Sequence, residues 1–195
     1  MARASATDPD TRRAEILAAS RRVFARKGYH RTGISDIVAE VGIARGTFYR
    51  YFDSKRIVFG LVLQQMMAEV VSVVQPIDIT APIPPQVFAN LDRLVRTIAA
   101  EDVCRVLFSE AVGIDTKSDD ALRAFYAEAL QRIEQALALG QQLGVVRPAN
   151  VTVTARCLLG VMKEPVVQAA LDGTELDADE LAAEMLLLLQ GGVLQ

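Results

Sequence analysis

The chain has 195 residues, 51% of them hydrophobic, which is enough for one large core or two small ones. Its Ala and Leu content and its lack of Trp favour helices. No apolar run reaches the roughly 18 residues of a membrane span, and residues 1–10 lack the apolar segment of a signal peptide. We therefore expect a soluble cytoplasmic protein with no membrane partner.

The net charge of −3 hides opposite charges on two parts of the chain. Residues 1–56 hold 12 Lys and Arg against 6 Asp and Glu, whereas residues 57–195 hold 9 Lys and Arg against 18 Asp and Glu. A basic segment joined to an acidic one indicates that only the first part meets nucleic acid. The alternative is a surface imbalance without a function.

Two helices are predicted at the start of the chain, after a flexible arm at residues 1–10. The first begins near residues 8–10 and ends at Gly28, because glycine commonly follows a helix. Thr32 is a plausible N-cap for the second, shorter helix, which ends at Gly42. The residues of the first helix that recur at helical spacing on a buried stripe are Ile16, Ala19, Ser20, Val23 and Phe24.

Residues 43–55 combine four aromatic side chains with three cations, in the order Ile-Ala-Arg-Gly-Thr-Phe-Tyr-Arg-Tyr-Phe-Asp-Ser-Lys. A buried core helix has no use for so many phenols and charges, whereas a short helix against a polyanion does. Phe48 and Phe52 lie four residues apart and are expected to anchor this helix in the core. With the preceding helix and the Gly42 turn, the stretch predicts a helix-turn-helix.

The remaining sequence predicts further helices and no convincing strand, for about nine helices in all. They run from Ser54 to before Pro76, from Pro85 to about residue 100, over 103–113, from residue 118 to about 143, over 152–171 and from about 177 to 191. Pro165 predicts a kink or a break in the helix at 152–171. Cys104 and Cys157 lie in apolar helical contexts and are expected to be buried, reduced thiols.

Three segments resemble the TetR family of bacterial transcriptional repressors. They read Phe-Ala-Arg-Lys-Gly-Tyr at 24–29, Thr-Gly-Ile-Ser-Asp-Ile at 32–37 and Val-Gly-Ile-Ala-Arg-Gly-Thr-Phe-Tyr-Arg-Tyr-Phe-Asp-Ser-Lys at 41–55. The resemblance covers about residues 10–60. It implies an all-α homodimer, with a three-helix DNA-binding domain at residues 1–56 and a helical effector-binding and dimerisation domain at residues 57–195.

Ala44 departs from the family, which usually has Ser or Thr there as the cap of the recognition helix. The change costs roughly 1 kcal/mol unless another group caps the helix. Arg45, at the helix start, suits guanine O6 and N7, and Gly46 permits close approach of the backbone. Together with the positions that the resemblance implies, the predicted DNA-binding residues are Thr32, Ser35, Arg45, Gly46, Thr47, Tyr49, Tyr51 and Lys55.

An effector pocket in the second domain is implied by the resemblance, not by periodicity. For each apolar candidate, plain core packing is the alternative. Glu110 shares a face with apolar residues and can receive a ligand group, or it forms an ion pair with Arg105 or Arg156. The candidates are Met66, Val70, Phe88, Leu107, Phe108, Glu110, Phe125, Tyr126 and Met162.

The last two helices are apolar on more than one face, which predicts a second contact surface. Two such helices from each chain can form a four-helix dimer interface; burial within one chain is the alternative. The candidate interface residues are Leu158, Val161, Val166, Leu181, Met185 and Leu188.

We therefore predict a ligand-responsive repressor that binds a palindromic double-stranded DNA operator as a homodimer and is released by a small, hydrophobic effector. The sequence has one histidine, no cluster with metal-ligand spacing, no P-loop and no nucleophile elbow, so we expect neither an enzyme nor a cofactor. The alternatives are a ligand-independent regulator, an activator, or a helical interaction protein that no longer binds DNA.

Overall fold

Eight helices account for most of the part of the chain that the computed structural model describes, namely residues 8–99, 103, 106, 119–174 and 177–193. No strand occurs among these residues, so the all-α prediction is confirmed. Val103 and Val106 are helical and buried, but the rest of the helix predicted at 103–113 lies outside the described residues. The eight helices are α1 (Pro9–Lys27), α2 (Ile34–Val41), α3 (Arg45–Tyr51), α4 (Lys55–Ser72), α5 (Ile83–Ala99), α6 (Asp119–Gln142), α7 (Val151–Asp172) and α8 (Ala178–Gly192).

Short polar side chains begin several of these helices. Asp8 accepts a hydrogen bond from the Thr11 amide, and Ser54 accepts one from the Ile57 amide at 3.3 Å. Asn150 and Asp177 cap α7 and α8 in the same way. These bonds satisfy amides that have no partner inside the helix. The capping residues therefore set where α1, α4, α7 and α8 start.

The start of α2 differs from the prediction, because Gly33 and not Thr32 is the N-cap. Asp36 accepts a hydrogen bond from the Gly33 amide at 2.8 Å. The Thr32 hydroxyl instead donates to the Gly28 carbonyl at 2.6 Å. A nearby backbone acceptor competes for a threonine hydroxyl, and here it holds the turn between α1 and α2.

Aromatic rings form the core that joins α1, α3 and the start of α4. The Phe59 ring lies edge-on to Phe24, with 5.4 Å between centroids, and 4.5 Å from Tyr29. Phe48 and Phe52 are buried in the same cluster, as expected. Each fully buried ring contributes about 1.5–3 kcal/mol through the hydrophobic effect, so α3 is fixed by its two phenylalanines.

Helix α4 carries this core into the rest of the molecule. Val62, Leu63 and Met66 belong to the same buried cluster as Phe24, and so do Val103 and Val166 from later in the chain. Helix α4 thus packs with α1 and also with the later helices α5 and α6. The boundary predicted between residues 56 and 57 falls inside α4 and stays a prediction.

The later helices pack in pairs, α5 against α8 and α6 against both α7 and α4. Val95, Ala182 and Met185 form the core between the first pair. Helix α7 continues through Pro165 to Asp172, so the proline does not break it. None of the described helices is both long and apolar enough to cross a membrane.

Cys157 is exposed and forms no disulfide, which contradicts the expected burial of this thiol. It lies on α7 between a buried residue, Ala155, and the partly buried Leu158, so its apolar neighbours in sequence point to another side of the helix. Cys104 lies outside the described residues.

Candidate nucleic-acid interface and effector region

A tight turn joins α2 to α3. Gly42 adopts the left-handed conformation, with φ 76° and ψ 37°, and its amide donates to the Val38 carbonyl at 2.9 Å. The Ile43 amide donates to the same carbonyl at 3.0 Å. A side chain is strained at this φ, so glycine is required for the turn that sets α3 against α2.

Helix α3 has a buried side and an exposed side. Phe48 is fully buried, whereas its neighbour Tyr49 is 44% exposed and meets the Phe48 ring edge-on at 5.6 Å. Arg45, Gly46 and Arg50 are exposed, and Thr47 and Tyr51 are half-buried. Most of the residues predicted to bind DNA on α3 therefore share a surface, while the phenylalanines hold the helix from behind.

Arg45 and Tyr49 lie one helical turn apart and contact each other. The Arg45 guanidinium carbon is 5.8 Å from the Tyr49 ring centroid, and its Nη2 donates to the Tyr49 hydroxyl at 3.4 Å. A cation on an aromatic face is held without an opposing charge. Both side chains are thus positioned outward beside the helix start.

The start of α3 has no side-chain cap, as the alanine at position 44 predicts. The Ala44 carbonyl accepts hydrogen bonds from the Thr47 and Phe48 amides at 2.9 and 3.4 Å. A Cβ added at Gly46 would have no atom within 4 Å. No internal packing therefore demands glycine at position 46, and the open space beside it faces outward.

Ion pairs divide the cations of the N-terminal helices into two groups. Arg22 and Arg26 bind Glu40 at 3.0 and 2.6 Å, and Lys27 binds Asp36 at 2.6 Å. Hydrogen bonds first from Arg26 and then from Arg22 lower the pKa of Glu40 to about 2. In the described part of the chain no carboxylate lies within ion-pair distance of Arg45 or Arg50. The positive charge of Arg45 and Arg50 is therefore not compensated by any carboxylate of the described residues.

Lys55 opens α4 and holds the loop between α1 and α2. Its ammonium donates to the Tyr29 carbonyl at 2.6 Å and to the Thr32 carbonyl at 2.8 Å. It also lies 4.1 Å from the Tyr29 ring centroid. This structural role was missed from the sequence, because its acceptors are backbone carbonyls in another segment. The predicted phosphate contact of Lys55 stays a prediction.

The two DNA-binding candidates near α2 are placed differently. Ser35 is exposed in the first turn of α2, on the open side. Thr32 is only 2% exposed, with its hydroxyl turned inward to Gly28. This burial gives the Thr32 side chain a structural role, and the predicted DNA contact of Thr32 stays a prediction.

The predicted effector residues do not converge on one cavity among the described residues. Met66 is fully buried in the main core, and Phe125 packs against that core. Met162 packs instead on the cluster between α5 and α8. Val70, Phe88 and Tyr126 are partly buried. The remaining candidates, Leu107, Phe108 and Glu110, lie outside the described residues.

The cavities in the described part of the chain include two that lie between helices. One, of about 330 Å³, lies between α4 and α6 and includes Phe125 and Met67 in its lining. The other, of about 230 Å³, lies where α6, α7 and α8 meet and is lined by Leu137, Cys157 and Val193. Of the predicted effector residues that the structure describes, only Phe125 lines either of these two cavities.

The six predicted dimer residues fall into three groups: buried, partly buried and exposed. Val166 and Met185 are buried inside this chain, which corrects their prediction, because helical periodicity cannot tell an internal partner from an external one. Leu181 is partly buried against both of their clusters, and its interface role stays a prediction. Leu158 is partly buried on a third cluster. Val161 is 38% exposed and Leu188 is 59% exposed, beside the equally exposed Leu187.

Two polar contacts between different helices were not predicted. Arg21 on α1 binds Glu69 on α4 at 2.7 Å and so links the N-terminal helices to the far half of α4. The Lys163 ammonium on α7 lies 5.2 Å from the Tyr126 ring centroid on α6. Each pair joins residues far apart in sequence, so local patterns carry no signal for it.

Comparisons with known proteins agree with this architecture. Residues 16–60 match the family model described as bacterial regulatory proteins, tetR family. The HTH-type transcriptional repressor SCO4008 of Streptomyces coelicolor is 30% identical over 146 residues, which cover 74% of this chain and 72% of that protein. The uncharacterised HTH-type transcriptional regulator YfiR of Bacillus subtilis is 27% identical over 187 residues, which cover 93% of this chain and 91% of that protein.

A solved structure extends the likeness over the whole fold. The transcriptional regulator FadR of Bacillus subtilis, crystallised in complex with stearoyl-CoA, superimposes with a TM-score of 0.78 at 21% identity, covering 90% of this chain and 96% of that chain. The helix-turn-helix, the family model and the SCO4008 relative agree on one assignment. The chain is a member of the tetR family of bacterial transcriptional regulators.

Proposed function

We propose that the chain is a ligand-responsive repressor that binds a palindromic operator as a homodimer and releases it when a small, hydrophobic effector binds. The observation that carries the proposal is the exposed side of α3, where Arg45 and Arg50 lie without carboxylate partners among the described residues. Repression, as opposed to activation, is supported by SCO4008, which is named a repressor and aligns with most of the chain.

In this proposal α3 enters the major groove and reads base edges from its first turn. Arg45 donates to guanine O6 and N7, because a guanidinium presents two parallel N–H donors that match these acceptors. The start of α3 has no side-chain cap at Ala44, and Gly46 has no side chain to cover the backbone. Both features lie beside Arg45 and favour close approach to a phosphate. The phosphate contacts come from Ser35, Thr47, Tyr49, Tyr51 and Lys55, which position the helix without reading sequence.

The decisive experiment compares Arg45→Ala with the unchanged chain on duplexes selected from a random library. We expect the variant to lose preference at one base pair of each half-site, by about 1–3 kcal/mol, and to keep the rest of the profile. Arg132→Ala is the matched control, because Arg132 is an exposed α6 cation that pairs with Glu128. An unchanged profile for Arg45→Ala would remove the base-reading role. Absence of salt-dependent duplex binding by the unchanged chain would favour an interaction protein.

Lys55 is tested separately, because it has a structural role as well as a proposed phosphate contact. For Lys55→Ala we expect weaker binding to all sequences and a salt slope smaller by about one unit. Urea unfolding of the same samples measures how much stability is lost with the bonds to the Tyr29 and Thr32 carbonyls. A less stable variant with an unchanged salt slope would leave Lys55 only its structural role.

The proposed homodimer uses the exposed apolar side chains of α7 and α8, including Val161 and Leu188. A two-fold dimer presents its recognition helices about 34–36 Å apart, one turn of DNA. In this proposal an effector releases the operator by changing the distance between the two recognition helices. Each chain in this proposal divides into a DNA-binding unit at residues 1–56 and an effector and dimerisation unit at residues 57–195.

The proposed coupling runs through α4. Lys55 ties its first residue to the loop after α1, and Glu69 ties its later half to Arg21. A ligand that tilts α4 would therefore carry the N-terminal helices with it, and its different affinity for the two states supplies the energy. Stearoyl-CoA, which the Bacillus subtilis relative contains, is a suitable first probe. Operator affinity unchanged by any saturating ligand would contradict the coupling.

A further inference from the structure

Tyr126 has a buried hydroxyl group without a hydrogen-bond partner among the described residues. The residue lies on α6, where its ring meets Phe125 edge-on with 5.7 Å between centroids. Buried polar atoms in folded proteins nearly always have a partner. Within the described part of the chain this hydroxyl is therefore available to an acceptor on another molecule.

Lys163 lies beside the same ring and, in the part of the chain that the structure describes, also has no partner of opposite charge. Its ammonium is 5.2 Å from the Tyr126 ring centroid, and the side chain is half-buried. Among the described ranges, no carboxylate lies within ion-pair distance of it. The Tyr126 hydroxyl on α6 and the Lys163 ammonium on α7 are thus neighbours, and neither has an acceptor or an anion as partner among the described residues.

An apolar residue precedes each member of the pair on its helix. Phe125 meets the Tyr126 ring and packs against the main core, and Met162 packs against the cluster formed by Val95, Ala182 and Met185. Burial raises the pKa of Tyr126 to about 12. The hydroxyl therefore keeps its proton at neutral pH and acts as a donor. A ligand bound here would meet polar groups at one end and apolar side chains around them.

We propose that Tyr126 and Lys163 form the polar end of the effector site and bind the carboxylate of an amphipathic ligand. The hydroxyl donates a hydrogen bond to one carboxylate oxygen, and the ammonium leaves the ring face to pair with the anion. The aliphatic body of the ligand lies against the neighbouring apolar clusters. A quaternary ammonium ligand is repelled by Lys163. The ligand class deepens the proposed function and rests on its ligand-responsive part.

Isothermal titration calorimetry of the full chain without DNA tests the proposal with three probes of equal chain length, namely decanoate, decanol and decyltrimethylammonium. We expect decanoate to bind at least about tenfold more tightly than decanol, and the cation most weakly. Tyr126→Phe is expected to weaken decanoate binding about tenfold, which corresponds to ~1.4 kcal/mol. Lys163→Met is expected to abolish the preference for decanoate over decanol.

Two controls separate this site from general effects. Arg132→Met removes a positive charge from the exposed side of α6 and is expected to leave decanoate affinity unchanged. Tyr126→Phe is expected to have a Tm no lower than that of the unchanged chain, because it removes an unpaired hydroxyl. A lower Tm for this variant would mean that the hydroxyl has a structural partner, which overturns the proposal.

Equal affinities for decanoate and decanol, no binding of decanoate, or unchanged binding by Tyr126→Phe would each overturn the ligand class. The proposed function is judged by a separate measurement, the release of an operator duplex. If decanoate binds through Tyr126 and Lys163 without releasing the duplex, the site stands and ligand-responsive repression fails. If another ligand releases the duplex equally from Tyr126→Phe and the unchanged chain, repression stands and the carboxylate site fails.

Discussion

The N-terminal helices and the helices after α4 bury their apolar surface to different extents. In α1 to α3 the large rings of Phe24, Phe48 and Phe52 are buried against one another or against α4. In α7 and α8, Val153, Leu187 and Leu188 are more than half exposed. The first region buries its large rings within the chain and exposes charge, whereas the second leaves large apolar side chains exposed, as the proposed dimer requires.

Polar groups show the same contrast. Around α2, Asp36 and Glu40 are each paired with cations from α1, so local charges are matched inside the N-terminal region. Between α6 and α7, the Tyr126 hydroxyl and the Lys163 ammonium have no such partners among the described residues. Groups without such partners among the described residues thus include Arg45 and Arg50 on α3 in the first region, and Tyr126 and Lys163 in the second, which are the places proposed above for DNA and for a ligand.

The largest expected effect comes from breaking the closed N-terminal core. Phe48→Ala should lower the free energy of unfolding by about 3–5 kcal/mol, because it leaves a cavity behind α3. Urea unfolding followed by circular dichroism measures the loss. Tyr49→Ala is the matched control, since its neighbouring ring is 44% exposed and should change stability by less than about 0.5 kcal/mol. Equal losses for the two variants would mean that α3 has no buried side.

The second effect comes from the open C-terminal surface. Leu188→Glu should weaken the proposed dimer by about 2 kcal/mol or more, because it places a charge where an apolar contact is proposed. Sedimentation velocity at micromolar concentration measures the shift to monomer. Leu139→Glu on α6 is the control, with a leucine of similar exposure outside the proposed interface. A dimer retained by Leu188→Glu, or a monomeric unchanged chain, would contradict the proposed interface.

The N-terminal region could be predicted well because its signals are local. Helical spacing identifies the buried stripe of α1, and two phenylalanines four residues apart identify the buried side of α3. The N-cap of α2 was missed because the Thr32 hydroxyl bonds back to Gly28, one turn before it. Which of two nearby acceptors a hydroxyl selects depends on three-dimensional geometry that residue type does not encode.

The C-terminal region could be predicted only in outline. Met185 and Leu188 are both apolar residues of α8, yet the first is buried against Val95 and the second is exposed. Periodicity reports that a helix is apolar on a wide face, but not which part of that face another helix of the same chain covers. The pair of Tyr126 and Lys163 was missed for a related reason, because their contact depends on how α6 packs against α7.

A third, smaller effect separates the two glycines on either side of the start of α3. Gly42→Ala should lower the free energy of unfolding by about 1 kcal/mol, because it forces a side chain into the left-handed conformation. Gly46→Ala should leave stability equal or slightly higher, by up to about 0.5–1 kcal/mol, since alanine favours a helix and the space is open. Urea unfolding measures both variants.

Duplex binding by the same variants adds a second readout. Gly46→Ala is expected to weaken operator binding despite its stability, because a methyl group would separate the backbone from DNA. Undiminished binding by this variant would remove the close approach proposed at Gly46.

The smallest effect concerns the charge matching around α2. Arg26 and Arg22 lower the pKa of Glu40 from 4.5 to about 2. A carboxyl group with a lower pKa in the folded state stabilises the fold above its unfolded pKa, and this stabilisation is lost as the pH falls from about 4.5 to about 2. The unchanged chain should therefore lose stability over this range more steeply than Glu40→Gln, as measured by unfolding at successive pH values.

The size of this difference should depend on salt, because the Arg22 and Arg26 side chains are each 55% exposed. Exposed ion pairs are screened within about 3 Å at 1 M salt and contribute little there. Repeating the pH series in 1 M NaCl should bring the curves of the unchanged chain and Glu40→Gln together. Curves that stay apart in 1 M NaCl would show that Glu40 stabilises the fold through packing of α1 against α2 and not through its charge. The ion pairs around α2 would then no longer be a difference between the N-terminal and C-terminal regions.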